Sequence, residues 1–138
     1  MLFVEANGAK IPAIGLGTWE LRGRACARIV QQALRLGYRH IDTAQMYENE
    51  REVGEGLRGS GVKRDDVFVT TKIWTSHFTP NDLERSAKES LARLRLTEID
   101  LADLQLREAF LGGADEIARR KILRPDFRGD EHLAARHA

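Results

Sequence analysis

The chain has 138 residues, about one domain in length, and is 42% hydrophobic and 31% charged, so it can bury a core. Its 22 basic and 21 acidic residues leave a formal net charge of +1, which argues against general binding to a phosphate backbone. It has no apolar run long enough to span a membrane, its start MLFVEANGAK lacks a secretory pattern, and its lone cysteine, Cys26, gives neither an internal disulfide nor a metal cluster. The expectation is a soluble, cytoplasmic protein with no nucleic-acid partner, no membrane partner and no metal, and with Cys26 as a buried inert thiol.

IPAIGLGTW, residues 11–19, is short, apolar and punctuated by Gly15 and Gly17, and reads as a strand running into a tight turn. Residues 24–37 place Cys26, Ile29, Val30, Ala33 and Leu34 on one helical stripe, with Gly37 as the stop. YRHIDTA, 38–44, is the next strand. The polar run 48–61, with Val53 and Leu57 four apart, reads as a short helix ending at Gly59 and Gly61. DDVFVTTKIW, 65–74, is β-branched and aromatic, a strand buried on both faces. Thr79-Pro80-Asn81-Asp82 is a helix start, with a threonine cap, a proline at the first helical position and an acid at the third; Leu83, Ala87, Leu91 and Leu94 mark the face that follows. EIDLADLQL, 98–106, is a fourth strand.

The order β, α, β, α, β, α, β implies parallel strands joined by right-handed helical crossovers, in either a (β/α) barrel or a doubly wound sheet. A full barrel takes about 250 residues, so this chain holds about half of one, some four βα units. Residues 107–138 carry no further βα unit; only Ala114 to Leu123 suggest a short helix. The chain therefore divides into a half-barrel over 1–106 and a divergent, poorly ordered tail over 107–138.

In both architectures ligands bind beyond the carboxyl ends of the strands. Gly17, Thr18 and Trp19 end the first strand, Asp42 the second with Tyr47 in the loop after it, and Lys72 and Trp74 the third. An acid, a phenol, a lysine and two indoles fall on one rim. A phenol is a weak acid at neutral pH, an ammonium beside it makes it a better one, and a carboxylate keeps that ammonium charged. Asp42, Lys72 and Tyr47 could therefore deliver a proton to a carbonyl oxygen as it becomes an alkoxide. Taken singly, each has a plainer role: Asp42 as a cap, Tyr47 packing at a helix entry, Lys72 reaching to water, Trp19 and Trp74 as packing residues, His77 as a loop residue. The glycines of GLGTW do not make a dinucleotide fingerprint.

IGLGTW, GYRHIDTAQMYENEREVGEGL (residues 37–57) and DDVFVTTKIW closely resemble the aldo-keto reductase family, in the style of bacterial 2,5-diketo-gluconate and aldehyde reductases. The likeness runs over about residues 8–104. It implies a (β/α)8 TIM barrel, NADPH as hydride donor and small aldehydes or ketones as substrates. It also implies Asp42, Tyr47 and Lys72 as catalytic residues, with Tyr47 the general acid. Gly17, Thr18 and Asp42 would lie near the nicotinamide, and Trp19 and Trp74 against the substrate. The family's fourth catalytic residue, a histidine ending strand four, falls by count at Gln105, and the expected Trp-Pro is replaced by Leu106-Arg107. Asp103 would put a charge in a buried strand, at a cost. This change after about residue 101 suggests a reading-frame shift or a shortened gene. Two outcomes follow: a reductase impaired by what it lacks, or a non-catalytic half-barrel that associates with itself or a partner through unpaired strand edges.

Overall fold

A computed structural model of the chain describes residues 1–6, 8–75 and 79–106, with backbone alone for Trp74, Thr75, Leu101 and 103–106. The elements run β1 (Phe3–Ala6), β2 (Ala9–Pro12), β3 (Leu16–Gly17), α1 (Gly23–Arg35), β4 (His40–Ala44), α2 (Glu50–Gly59), β5 (Phe68–Thr75), α3 (Pro80–Leu94) and β6 (Leu101–Leu106), with 3-10 turns at Gln45–Tyr47 and Arg64–Asp66. β3, β4, β5 and β6 form one parallel sheet in that order, and β1 and β2 form a separate antiparallel hairpin. The expected alternation and parallel pairing are present.

The first expected strand is the main departure. Residues 11–19 are not one strand: Ile11 and Pro12 belong to the hairpin, and only Leu16 and Gly17 pair with β4. The missed signal was Asn7-Gly8, the commonest two-residue hairpin connection; Gly8 sits at φ 77°, where glycine is favoured. The hairpin is pinned under the sheet by His40. Its Nδ1 lies 3.2 Å from the Pro12 carbonyl, its Nε2 lies 3.0 Å from Thr70 Oγ1, and its ring meets Phe68 edge-on.

β4 and β5 alternate as a sheet with two different faces must. Ile41, Thr43, Val69, Thr71 and Ile73 are buried toward the helices. His40, Asp42, Thr70 and Lys72 point to the opposite face, in the register Asp42 beside Thr70 and Ala44 beside Lys72. The core lies on the helix side: Cys26, Val30 and Leu34 of α1 and Val53 and Leu57 of α2 close over Ile41, Val67, Val69 and Leu94. A fully buried leucine such as Leu34 contributes about 1.5–3 kcal/mol.

α1 ends as expected at Gly37, at φ 102°. Its buried stripe is Cys26, Ala27, Val30, Ala33 and Leu34, while Ile29 is exposed, because the stripe turned toward α2 is narrower than the sequence pattern suggests. α3 begins as expected: the Thr79 hydroxyl accepts from the Asp82 backbone N–H at 3.2 Å, with Pro80 in the first turn. Its buried face is Ser86, Ser90 and Leu94, whereas Leu83, Ala87 and Leu91 are half-buried. The Gln45 side chain reaches this face, donating to the Ser86 carbonyl at 2.8 Å and to Ser90 Oγ at 2.9 Å. His77, the expected tail helix and the whole of 107–138 lie outside the described residues, as do the side chains of Trp74, Asp103 and Gln105.

Candidate active site

The carboxyl ends of β3, β4 and β5 bring Asp42, Lys72, Tyr47 and Trp19 together. Asp42 lies two positions inside the end of β4, and both its oxygens accept from Lys72 Nζ at 2.5 Å. The pair is only partly screened by water, with the lysine side chain 15% exposed and the carboxylate 34%. Because Asp42 and Lys72 lie on neighbouring parallel strands two register steps apart on the same face, the long lysine reaches diagonally to the acid. Tyr47 ends the 3-10 turn that follows β4, and Lys72 Nζ stands 5.5 Å from its ring centroid, within cation–π range. Tyr47 is half-buried at this rim.

The first loop forms the adjoining wall. Trp19 is 48% exposed and meets Tyr47 edge-on, with ring centroids 4.8 Å apart. Thr18 is fully buried; its backbone N–H and its hydroxyl both donate to the Asp42 carbonyl, at 3.0 and 3.2 Å. Thr18 therefore fixes the loop rather than offering a free donor. Gly17 pairs in register with Asp42, and nothing lies within 4 Å of where a Cβ on it would stand, so the backbone is open to a flat ligand. Trp74 is placed by backbone register beside Gln105, two positions beyond the pairing of Lys72 with Asp103.

Several residues that support this rim were not singled out from the sequence. Asn49, at the start of α2, is 1% exposed and bonds three partners. Glu50, also 1% exposed, accepts from Thr71 Oγ1 at 2.6 Å and from Arg93 Nε at 2.5 Å, tying α2 to β5 and α3 behind the lysine strand. Arg22 donates to the Tyr47 carbonyl at 2.7 Å. The only signal in the sequence was the polar run Glu48-Asn49-Glu50 directly after Tyr47, where an amide and an acid enter a helix that packs inward. A groove of about 550 Å³ on the helix side of the same turn, lined in part by Met46, Glu48, Arg51 and Arg93, does not include Asp42, Tyr47 or Lys72.

Burial pushes the Cys26 thiol up to about 11, reinforced by Glu52, so it stays a thiol at neutral pH, as expected of an inert core cysteine. Among the described residues there is no cluster of metal-binding side chains, and no helix is long and apolar enough to cross a membrane.

Parallel strands with helical crossovers, and an acid, a lysine and a tyrosine at their carboxyl ends, define an α/β barrel-type protein with a polar site on the strand rim. The Aldo/keto reductase family model matches residues 13–105, and the chain belongs to that family. It is 42% identical over 120 residues to aldo-keto reductase family 1 member A1-A of Danio rerio, covering 83% of this chain and 37% of the relative. It is 50% identical over 96 residues to a glycerol 2-dehydrogenase (NADP(+)) of Saccharomyces cerevisiae, covering 69% of this chain and 30% of that one. A Bombyx mori aldo-keto reductase solved in complex with NADP superposes with a TM-score of 0.68 at 36% identity, over 73% of this chain and 36% of that one. The four parallel strands are thus the N-terminal part of a TIM barrel, and the chain spans about a third of the length of the relatives it matches.

Proposed function

We propose that this chain carries the proton-delivering part of a site that reduces aldehydes and ketones to alcohols with NADPH. The observation that carries the reading is the Asp42–Lys72 ion pair, closed at 2.5 Å, with the lysine against the Tyr47 ring. Tyr47 is the general acid: its hydroxyl gives a proton to the carbonyl oxygen of the substrate. Lys72 sets its ammonium against the Tyr47 ring, where it offsets negative charge developing on the phenol oxygen in the transition state, and Asp42 holds Lys72 in place. Trp19 and Trp74 are the substrate walls.

The residues present fit the nicotinamide end of the cofactor: Gly17 leaves room for a flat ring, Thr18 fixes the loop beneath it, and Asp42 keeps a partly exposed carboxylate beside it. When bound, NADPH supplies the hydride to the carbonyl carbon. The Bombyx mori relative in complex with NADP supports this choice of cofactor.

NADPH consumption with a panel of small aldehydes tests the reading. Tyr47→Phe is expected to lower kcat by about 10²–10⁴-fold, the contribution of a general acid. Turnover that survives the substitution overturns it. A second reading, a non-catalytic half-barrel that associates with itself or a partner, is supported by the position of Gln105 on β6, where the family resemblance calls for histidine. It is also supported by the two edges, β3 and β6, that have one strand partner each among the described residues. Absence of both turnover and NADPH binding favours it.

A further inference from the structure

Asn49 stands at the N-cap of α2, where an asparagine side chain ordinarily accepts from the backbone of the first helical turn, yet it makes no such bond. Its amide reaches the other way. Nδ2 donates to the Thr18 carbonyl at 2.7 Å and to the Leu21 carbonyl at 3.0 Å, and Oδ1 accepts from Thr43 Oγ1 at 3.1 Å. The two carbonyls fix which end of the amide is nitrogen, since the reverse orientation would set oxygen against oxygen. Both amide hydrogens are used, and the side chain is 1% exposed, so no water can replace either bond at low cost.

These bonds join two segments that meet at the rim. Thr18 and Leu21 flank Trp19 in the first loop, while Asn49 follows Tyr47 by two residues and Thr43 follows Asp42 by one. Arg22 closes the same junction by donating to the Tyr47 carbonyl, and Glu48, between Tyr47 and Asn49, takes the left-handed conformation at φ 55°. A non-glycine residue holds that conformation only where its surroundings enforce it. The helix goes without its asparagine cap, and Glu48 takes a disfavoured conformation, at the same junction where Asn49 bonds the Trp19 loop.

We propose that Asn49 is a positioning residue that clamps the Trp19 loop to the Tyr47 turn, setting the edge-on spacing between substrate wall and proton donor. It acts through the Thr18 and Leu21 carbonyls and touches no reacting atom. The catalytic half of this proposal rests on the reading of Tyr47 as proton donor; the mechanical half does not.

The test compares the parent chain, Asn49→Ala, the near-isosteric Asn49→Asp and Tyr47→Phe by hydrogen–deuterium exchange and by steady-state kinetics with an aldehyde. In both Asn49 variants exchange is expected to rise about tenfold together over residues 18–22 and 45–48, the scale of one lost buried hydrogen bond, with α1 and α3 protected as in the parent. In the same variants kcat falls with little change in KM for the aldehyde, the mark of a displaced acid rather than a lost binding contact. Tyr47→Phe leaves exchange over 18–22 at the parental level. Should Asn49→Ala fail to fold, Asn49→Asp decides, because it keeps the volume and replaces the donor with an acceptor facing two carbonyls. Unchanged exchange over 18–22, or loss of protection spread evenly through α1 and α3 in the folded variant, overturns the clamp. Full turnover by Tyr47→Phe defeats the reading of Tyr47 while the exchange result still decides the clamp.

Discussion

At the scale of single residues, the site depends on charges held where water is scarce. Lys72 and Asp42 neutralise each other across two strands, so removing either leaves its partner part-buried and unpaired. Lys72→Met is expected to lower kcat for carbonyl reduction by about 10²-fold or more and to cost about 1–3 kcal/mol of stability; a rate within a few-fold of the parent would remove the lysine from the mechanism. His40 is a residue whose protonation the fold shifts. Burial holds it below its ordinary value of about 6.5, only partly offset by its bond to Pro12 and by the carboxylates of Asp42 and Asp100, while Lys72 adds to the lowering. The folded state thus binds this proton less readily than the unfolded chain. Its neutral form contributes stability above the unfolded value, and that contribution is lost as pH falls through 6.5 toward the folded value. Chemical denaturation between about pH 7.5 and pH 5 should show the parent losing stability at up to about 1.4 kcal/mol per pH unit more steeply than His40→Gln. Parallel curves would show that His40 titrates alike in both states.

At the scale of elements, the helices sit where glycines let them. A Cβ on Gly54 would stand 2.1 Å from the Leu94 carbonyl oxygen, so α2 and the end of α3 approach backbone to side, with no side chain between them. On Gly56 it would meet the Ala27 carbonyl of α1 at 2.6 Å. Backbone cannot yield as a flexible side chain can, and the close fit is propagated to Arg58, which donates to the Leu94 carbonyl at 2.8 Å. Gly54→Ala is expected to destabilise by about 1–3 kcal/mol, read as a fall in Tm, despite the better helix propensity of alanine. Glu55→Ala, on the exposed side of the same turn, should stay within about 0.5 kcal/mol of the parent. Equal melting of the two variants would refute the close approach.

At the scale of the molecule, a four-stranded parallel sheet packs its helices on one face, and the other face is closed unevenly among the described residues: Thr70 and Ala44 are buried, while the Asp42 carboxylate toward the carboxyl end stays 34% exposed. Parallel sheets are ordinarily covered on both sides, and free strand edges attract further strands. The hairpin β1–β2 covers only the amino-terminal end, through His40. Proposed self-association through the edges of β3 and β6 predicts a mass by sedimentation equilibrium that rises above the monomer with concentration. A fixed monomer across a hundredfold range would reject it.

How much of this was legible in the sequence follows from how local each cause is. The helices of residues 24–37, 48–61 and 79 onward and the order of strands were legible, because hydrophobic period, a threonine-proline start and a glycine stop act within a few residues. So was the placing of Asp42, Tyr47 and Lys72 on one rim, since parallel strands put their carboxyl ends together. The hairpin escaped notice because Ile11 and Pro12 look continuous with Leu16 in an apolar run, and only pairing with residues 3–6 separates them. The buried Ser90 of α3 and the buried Glu50 contradict any pattern based on polarity; each meets a side-chain partner from another element. By itself the sequence determined the elements, their order and the chemistry available at the strand ends, because those depend on near neighbours along the chain. Only the tertiary structure decided that Lys72 closes on Asp42, that Trp19 stands against Tyr47 and that Asn49 turns from its helix to hold them, because hydrogen bonds between distant residues exist only once the backbone has brought donor and acceptor together.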